Sequence, residues 1–582
     1  MVIKKTPSVR FDLPLVLLGL VLLGYLVVAG LYAAFTPAWQ SPDEPAHYNY
    51  VRQLGARGGC CPTIELGDWQ QEYQEAIKAA RFNPELLGRL DTLQYEDHQP
   101  PLYYLLARIW TPFPSPDKLT QMRLFSVLIG AGGVLCAYAV GRALLPNRPQ
   151  IALAAAALVA FLPQHVHLLA SVNNDGLAEF IVGLTLLATS YYLQDHRSAV
   201  LYPVVAALLA LAILVMAAIL GSGLAPENAV ISNLLAMVAA VGMLVVLVAY
   251  GWRWLKQPEL RRIQITPWML GLLVGLGLVT KLSTLFLAGL VPLAILLKWW
   301  LTRLERQSLV NIHVPNAAVK QGALTLWRYR DTALGKTVIA AGQRVVPRLV
   351  RGRLQPFVPL LTAWAVFLLP VVLLIGLWAL RNFSVYGFPD VFGMGAHNRV
   401  VIGQLRTADL MAQVGMGEYL RSAAQTTFNS FWGQFGWMAA PMPTWAYLYI
   451  LALLALAVSG WVVLWRRFSQ PQEAGNKRAV QRASVLILAL AGVLAVLAYL
   501  YYNTEFVQFQ GRYLYPGLAP FALALVVGVD GWRQLVFARN DNRRGGSQTR
   551  PYTAYLTLLP FLALALLDLY LLWRLIIPAL SP

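Results

Sequence analysis

Two carboxylates and an imidazole crowd into Pro42-Asp43-Glu44-Pro45-Ala46-His47, just beyond the apolar run Leu13–Phe35. Prolines on both sides narrow the backbone's choices. A carboxylate held there, partly desolvated, has its pKa raised and can take a proton from a hydroxyl. The same residues also make a helix start, with Ser41 as cap, Pro42 at the first position and two acids toward the positive end of the dipole. The two roles are compatible.

The loop that begins there ends in Tyr95-Glu96-Asp97-His98-Gln99-Pro100-Pro101-Leu102-Tyr103-Tyr104. Pro-Pro stops any preceding helix and presets the next, whose free N–H groups beside His98 form an anion site; the alternative is a proline-bounded surface helix with an aromatic belt. A third polar group, Pro163-Gln164-His165-Val166-His167 followed by Ser171-Val172-Asn173-Asn174-Asp175, falls at the next turn on the same side. Taken alone, Asp175 is a helix cap. Three cations complete the set: Lys281 between two short apolar runs, Arg381 closing a span, and Arg512 opening another in Gln510-Gly511-Arg512-Tyr513-Leu514. Each alone would snorkel to headgroups. Together they describe a pocket for an anionic, lipid-linked substrate, with Asp43, Glu44 and Asp175 as acid–base groups and His98, Lys281, Arg381 and Arg512 around a phosphate. His47, Tyr103, Asn174 and Gln510 are the candidate substrate contacts.

What must position these residues is a membrane. Of 582 residues 58% are hydrophobic and 13% charged, against about 25% charged in soluble domains, and the apolar residues fall in blocks long enough to cross a bilayer. That excludes a soluble enzyme, a disulfide scaffold and a disordered chain. The pattern predicts an all-α polytopic protein with thirteen apolar helices, at 13–35, 122–145, 150–170, 176–193, 199–220, 229–251, 266–280, 282–300, 356–380, 443–465, 484–502, 513–532 and 552–574. The first is too long for a signal peptide. With the N-terminus cytoplasmic, inner segments hold 31 Lys and Arg and outer segments 15, the positive-inside pattern. The C-terminus then lies outside, in an inner or plasma membrane. The net charge of +19 needs no nucleic acid. Three units are expected: a module over 1–300 with outer loop 36–121, a basic cytoplasmic segment at 302–355 resting on anionic lipid, and helices at 356–582 with outer loop 382–442, where Trp432, Trp437 and Trp445 suit an interfacial helix. Cys60 and Cys61 are neighbours, a spacing that strains a disulfide.

An Asp-Glu pair after the first span, a His followed by Pro-Pro at the end of the first outer loop, and Asn-Asp at the next outer turn resemble the GT-C superfamily. Those are integral-membrane glycosyltransferases using polyprenyl-phosphate sugars, such as protein O-mannosyltransferases and aminoarabinose transferases. Pro-Asp-Glu-Pro-Ala-His with Gln-Gly-Arg-Tyr-Leu is similar to a group of uncharacterised bacterial membrane proteins placed near them. The resemblance implies inverting transfer of a sugar from a polyprenyl-phosphate donor to an unknown acceptor at the extracytoplasmic face. It implies Asp43 as base, Asp175 as the second acidic position and His98 near the donor phosphate. Gln99, between His98 and the prolines, departs from the usual pattern. No cofactor is expected; a divalent metal on Asp43, Glu44, His47 and Asp175 is the less economical reading. The competing functions are a transporter or flippase of a lipid-linked sugar and a structural membrane scaffold.

Overall fold

The structure, a computed structural model, describes residues 12–56, 60–198, 201–224, 263–311, 355–468, 476–544 and 551–582. Within them nine helices are long and apolar enough to cross a membrane, or ten when one bent pair counts as a single span. The chain is an all-α polytopic membrane protein. The expected span 229–251 and most of the basic segment, 312–354, lie outside the described residues.

Helix α1 (Leu13–Phe35) shows how the spans form. Tyr25, Ala29, Tyr32 and Ala33 are fully buried on one side, while Leu20, Leu23 and Val27 face outward, because lipid tails are as acceptable to leucine as a protein core. Three helices then fill the polar loop expected at 36–121: α2 (Glu44–Ala56), α3 (Gln71–Ala79) and α4 (Leu102–Trp110). Span α5 (Leu119–Leu144) follows. The expected span 150–170 is two pieces, α6 (Pro149–Phe161) and α7 (Pro163–Leu169), bent by 64°. Pro163 has no N–H to continue the ladder, so the helix breaks before it and restarts with proline in its first turn. Next come α8 (Asp175–Leu193), α9 (Leu201–Leu224) and the short α10 (Pro267–Leu278). A tight turn carrying Lys281 separates α10 from α11 (Leu287–Asn311).

The remaining elements are α12 (Val358–Tyr386), α13 (Met394–Val400), the surface helix α14 (Thr407–Trp432), α15 (Thr444–Phe468), α16 (Asn476–Tyr502), α17 (Leu518–Arg544), α18 (Leu559–Leu571) and α19 (Ile577–Leu580). Two antiparallel two-residue ladders staple loops, pairing Arg197 with Gln264 and Gln434 with Pro441. Helices α15 and α17 approach closely because a Cβ on Gly460 would sit 1.9 Å from the Gly528 carbonyl, the small-residue contact that membrane helices favour. Helix α6, almost wholly buried, packs against α1, α5 and α17, so both halves of the chain share one core. Contrary to the strain expected of neighbours, Cys60 and Cys61 are joined as a disulfide.

Candidate functional site

Asp43 sits between α1 and α2 at φ +64°, a left-handed conformation that aspartate tolerates better than most residues. Its Oδ1 accepts the Tyr95 hydroxyl at 3.0 Å and its Oδ2 accepts the Arg512 guanidinium at 2.5 Å. Burial pushes the Asp43 carboxyl up, but Arg512, His47 and the two hydrogen bonds outweigh it and leave it below its ordinary range. Arg512 reaches this point because Gly511 lets the chain pass against α14: a Cβ there would lie 2.3 Å from the Phe431 nitrogen. Gly511 N–H is held by the Ser430 hydroxyl at 2.8 Å. Arg512 Nε is buried with no partner among the described residues.

A second carboxylate–cation pair lies alongside. Asp175 opens α8 and bonds Lys281 through Oδ1. The N-cap position is Asn174, which makes no side-chain cap bond, while Asn173 Oδ1 just before it accepts the Asp175 N–H at 2.6 Å. Asp175 also feels the charges of Arg512 and His47, which makes the two pairs one electrostatic unit. His47 is buried and its Nδ1 meets the Tyr104 hydroxyl at 2.8 Å. Burial, offset by Glu96 and reinforced by Lys281, lowers its pKa.

The remaining expected site residues are placed differently. Glu44 is fully buried. It takes Arg123 on both oxygens (Nε at 2.8 Å, Nη2 at 2.6 Å), the Trp39 N–H and the Val172 N–H. Those four contacts occupy its lone pairs and tie it to α5 and to the turn before Asp175. His98 is buried and its pKa falls to about 3, chiefly through burial and then through His397, whose ring lies 4.4 Å away. Its Nδ1 proton is on the Tyr95 carbonyl at 3.1 Å, so it offers a phosphate neither charge nor donor. The anion site expected at the Pro-Pro helix start is likewise taken: the Leu102 N–H donates to the Val279 carbonyl at 3.1 Å and ties α4 to the Lys281 turn.

Arg381 donates to the carbonyls of Cys61 and Pro62 at 3.0 and 2.7 Å and to Asn382, which anchors the 60–62 loop instead of joining the cluster. Tyr103 bonds Ser126 and receives the Asn173 N–H, bracing the turn before Asp175. Asn174 Nδ2 is shared among Gln99, Tyr104 and Thr280, while its buried Oδ1 has no partner among the described residues. Gln510 is half-buried and bonds Gln508. Among the described residues no group of three or more His, Cys, Asp or Glu is arranged for a metal ion.

Sequence reasoning left three residues without a role. Arg123, counted with the loop charges, is inside α5 and tied to Glu44. Tyr95 is the second hydrogen-bond donor to Asp43. Glu96 has one buried oxygen without a hydrogen-bond partner among the described residues and acts electrostatically on His47. Only Tyr95 and Glu96 carried a signal, standing beside His98 in the quoted motif.

Residues 98–254 match the family model described as dolichyl-phosphate-mannose-protein mannosyltransferase. Residues 418–521, which include Arg512, match the family described as predicted membrane protein (DUF2142). No curated protein matches the chain. Similar solved structures include the oligosaccharyltransferase AglB of Archaeoglobus fulgidus in complex with an inhibitory peptide and a dolichol-phosphate, at 12% identity, 94% coverage of this chain and TM-score 0.38. The Archaeoglobus fulgidus oligosaccharyltransferase tethered to an acceptor peptide containing the NVT sequon is 14% identical over 94% of this chain, also at TM-score 0.38. In both cases the match spans 55% of that other chain.

Proposed function

We propose that this protein is a glycosyltransferase of the GT-C type that moves a sugar from a polyprenyl-phosphate donor to an acceptor hydroxyl at the extracytoplasmic face. The observation that carries the reading is the gathering of Asp43–Arg512 and Asp175–Lys281, from four separated stretches of chain, at one end of the helix bundle. The match of residues 98–254 to a mannosyltransferase family supports the donor class. The excess of Lys and Arg in the opposite segments supports the side of the membrane.

In this reading Asp43 removes the acceptor's proton as the acceptor oxygen bonds the anomeric carbon. The bond from that carbon to the phosphate oxygen breaks on the opposite face, inverting the centre, and its electron pair stays with the phosphate. The leaving phosphate gains negative charge as the bond breaks. Arg512 and Lys281 stabilise that gain more than the ground state, which is what accelerates a reaction. Asp175 holds Lys281 in place. His98 and Arg381 shape the surrounding loops.

The test supplies radiolabelled polyprenyl-phosphate sugars to membranes containing the protein. One of them is consumed by the wild type and not by Asp43→Asn; if the variant turns over like wild type, Asp43 loses the role. The bent α6–α7 pair favours a second reading, transport of a lipid-linked sugar, since transporters use broken helices. Substrate movement that persists in Asp43→Asn without any transfer selects that reading.

A further inference from the structure

Both oxygens of the proposed base are occupied in this structure, and one of its two partners is a cation the leaving group also needs. Asp43 keeps free lone pairs but is a weaker base while Arg512 holds it, and Arg512 cannot fully serve a phosphate while it holds Asp43. We infer that the two states exchange: the donor phosphate draws Arg512 off Asp43, and so strengthens the base only after the donor has bound. This inference rests on the proposed function and adds to it an order, donor before acceptor.

Three observations support the exchange. First, the Arg512 guanidinium is under-used. Its Nη2 bonds Asp43, but its buried Nε has no partner among the described residues, and an unpaired buried donor is costly. A phosphate presents oxygens that match the Nε–Nη edge of the fork, so turning toward it satisfies both donors. Second, the contacts that remain to Asp43 do not hold Arg512. Tyr95 bonds Oδ1 and stays in place when Oδ2 is released, keeping the carboxylate aimed. Third, Lys281 and Asp175 repeat the same arrangement beside it, so one phosphate can engage both cations and leave two carboxylates less neutralised.

The chemistry of release follows from the balance at Asp43. Burial raises its pKa and is the largest influence there, while Arg512 is the foremost influence lowering it. The other ionisable groups facing it are His47 on α2, Tyr95 and Glu96 in the 95–98 loop, Tyr502 at the end of α16, and Tyr513 beside Arg512. Loss of Arg512 thus turns a weakly basic carboxylate into a more basic one at the moment the donor is seated.

The experiment uses the full-length protein in lipid nanodiscs and reads the Asp43 carboxylate by difference infrared spectroscopy. Its band is assigned by disappearance in Asp43→Asn and by displacement in Asp43→Glu, so failure of one variant to fold leaves the other. The probe is a short-chain polyprenyl phosphate, with the matching polyprenol as the uncharged control and binding followed by native mass spectrometry. The phosphate, and not the alcohol, should raise the Asp43 titration midpoint by about one to three pH units, the size of a neighbouring arginine's effect. Bound phosphate with an unmoved midpoint overturns the exchange while leaving the glycosyl-transfer reading intact. Failure of the phosphate to bind, or an equal shift with the alcohol, overturns both.

Discussion

Asp43 and Glu44 are adjacent in sequence, and each is bound to an arginine far along the chain, yet the two pairs are built for different ends. Glu44–Arg123 is sealed, at 0% and 3% side-chain exposure, and every acceptor site on the carboxylate is filled. Arg123 also donates to the carbonyls of Ala33, Thr36 and Pro37, the first of which lies in the last turn of α1, where carbonyls lack an intrahelical partner. That pair fastens α1, α5 and the turn before Asp175 to one another. Asp43–Arg512 is looser, with the carboxylate side chain 21% exposed and Arg512 Nε without a hydrogen-bond partner among the described residues. A pair that fixes a fold has no spare donors, whereas a pair that is to be broken by substrate keeps some.

The largest expected effect breaks the comparison at its open side. Asp43→Asn should reduce sugar transfer by about 10²- to 10⁴-fold, the usual value of a general base, with no change in the detergent melting profile. On the sealed side, Arg123→Ala leaves Glu44 charged and buried. Such losses cost about 3–5 kcal/mol, read as a large drop in folded yield and melting temperature.

Acid sharpens the difference. His98 is neutral in the folded state, its pKa falling to about 3, while an unfolded histidine titrates near about 6.5. The unfolded chain therefore binds more protons below that pH, and stability falls as pH drops from about 6.5 toward 3. The slope is about 1.4 kcal/mol per pH unit for this imidazole, and His98→Asn should flatten the dependence of melting temperature on pH. The smallest effect concerns Tyr95. Tyr95→Phe removes one of two donors to Asp43, so the acid limb of the pH–rate profile should move up by about one unit, with melting nearly unchanged.

How much of this could be read from sequence depends on range. The spans, their prolines and the polar loop ends are local patterns, and the break at Pro163 follows from chemistry within one turn. That Asp43, Asp175, Lys281 and Arg512 would meet was legible too, because charges at span ends on one side of a membrane have few places to go. The division of labour within Asp43-Glu44 was not legible. Nothing local distinguishes two adjacent acids, and the partner that claims Glu44 lies on α5, inside an apolar helix where an arginine reads as a headgroup anchor. His98 fails for the same reason: its neutrality is set by burial and by His397, about three hundred residues away in sequence. Arg381 is claimed by backbone carbonyls of the 60–62 loop, which have no sequence signature at all.

The decisive measurement sets the two neighbours side by side. Asp43→Asn and Glu44→Gln are purified together, and each is assayed for thermal unfolding and for sugar release from polyprenyl-phosphate donors per folded molecule. Asp43→Asn should melt with the wild type and release no sugar, while Glu44→Gln should melt early yet retain transfer in the fraction that stays folded. The reverse outcome, a destabilised but active Asp43→Asn beside a stable but inert Glu44→Gln, would contradict the assignment of the two carboxylates and the function built on it.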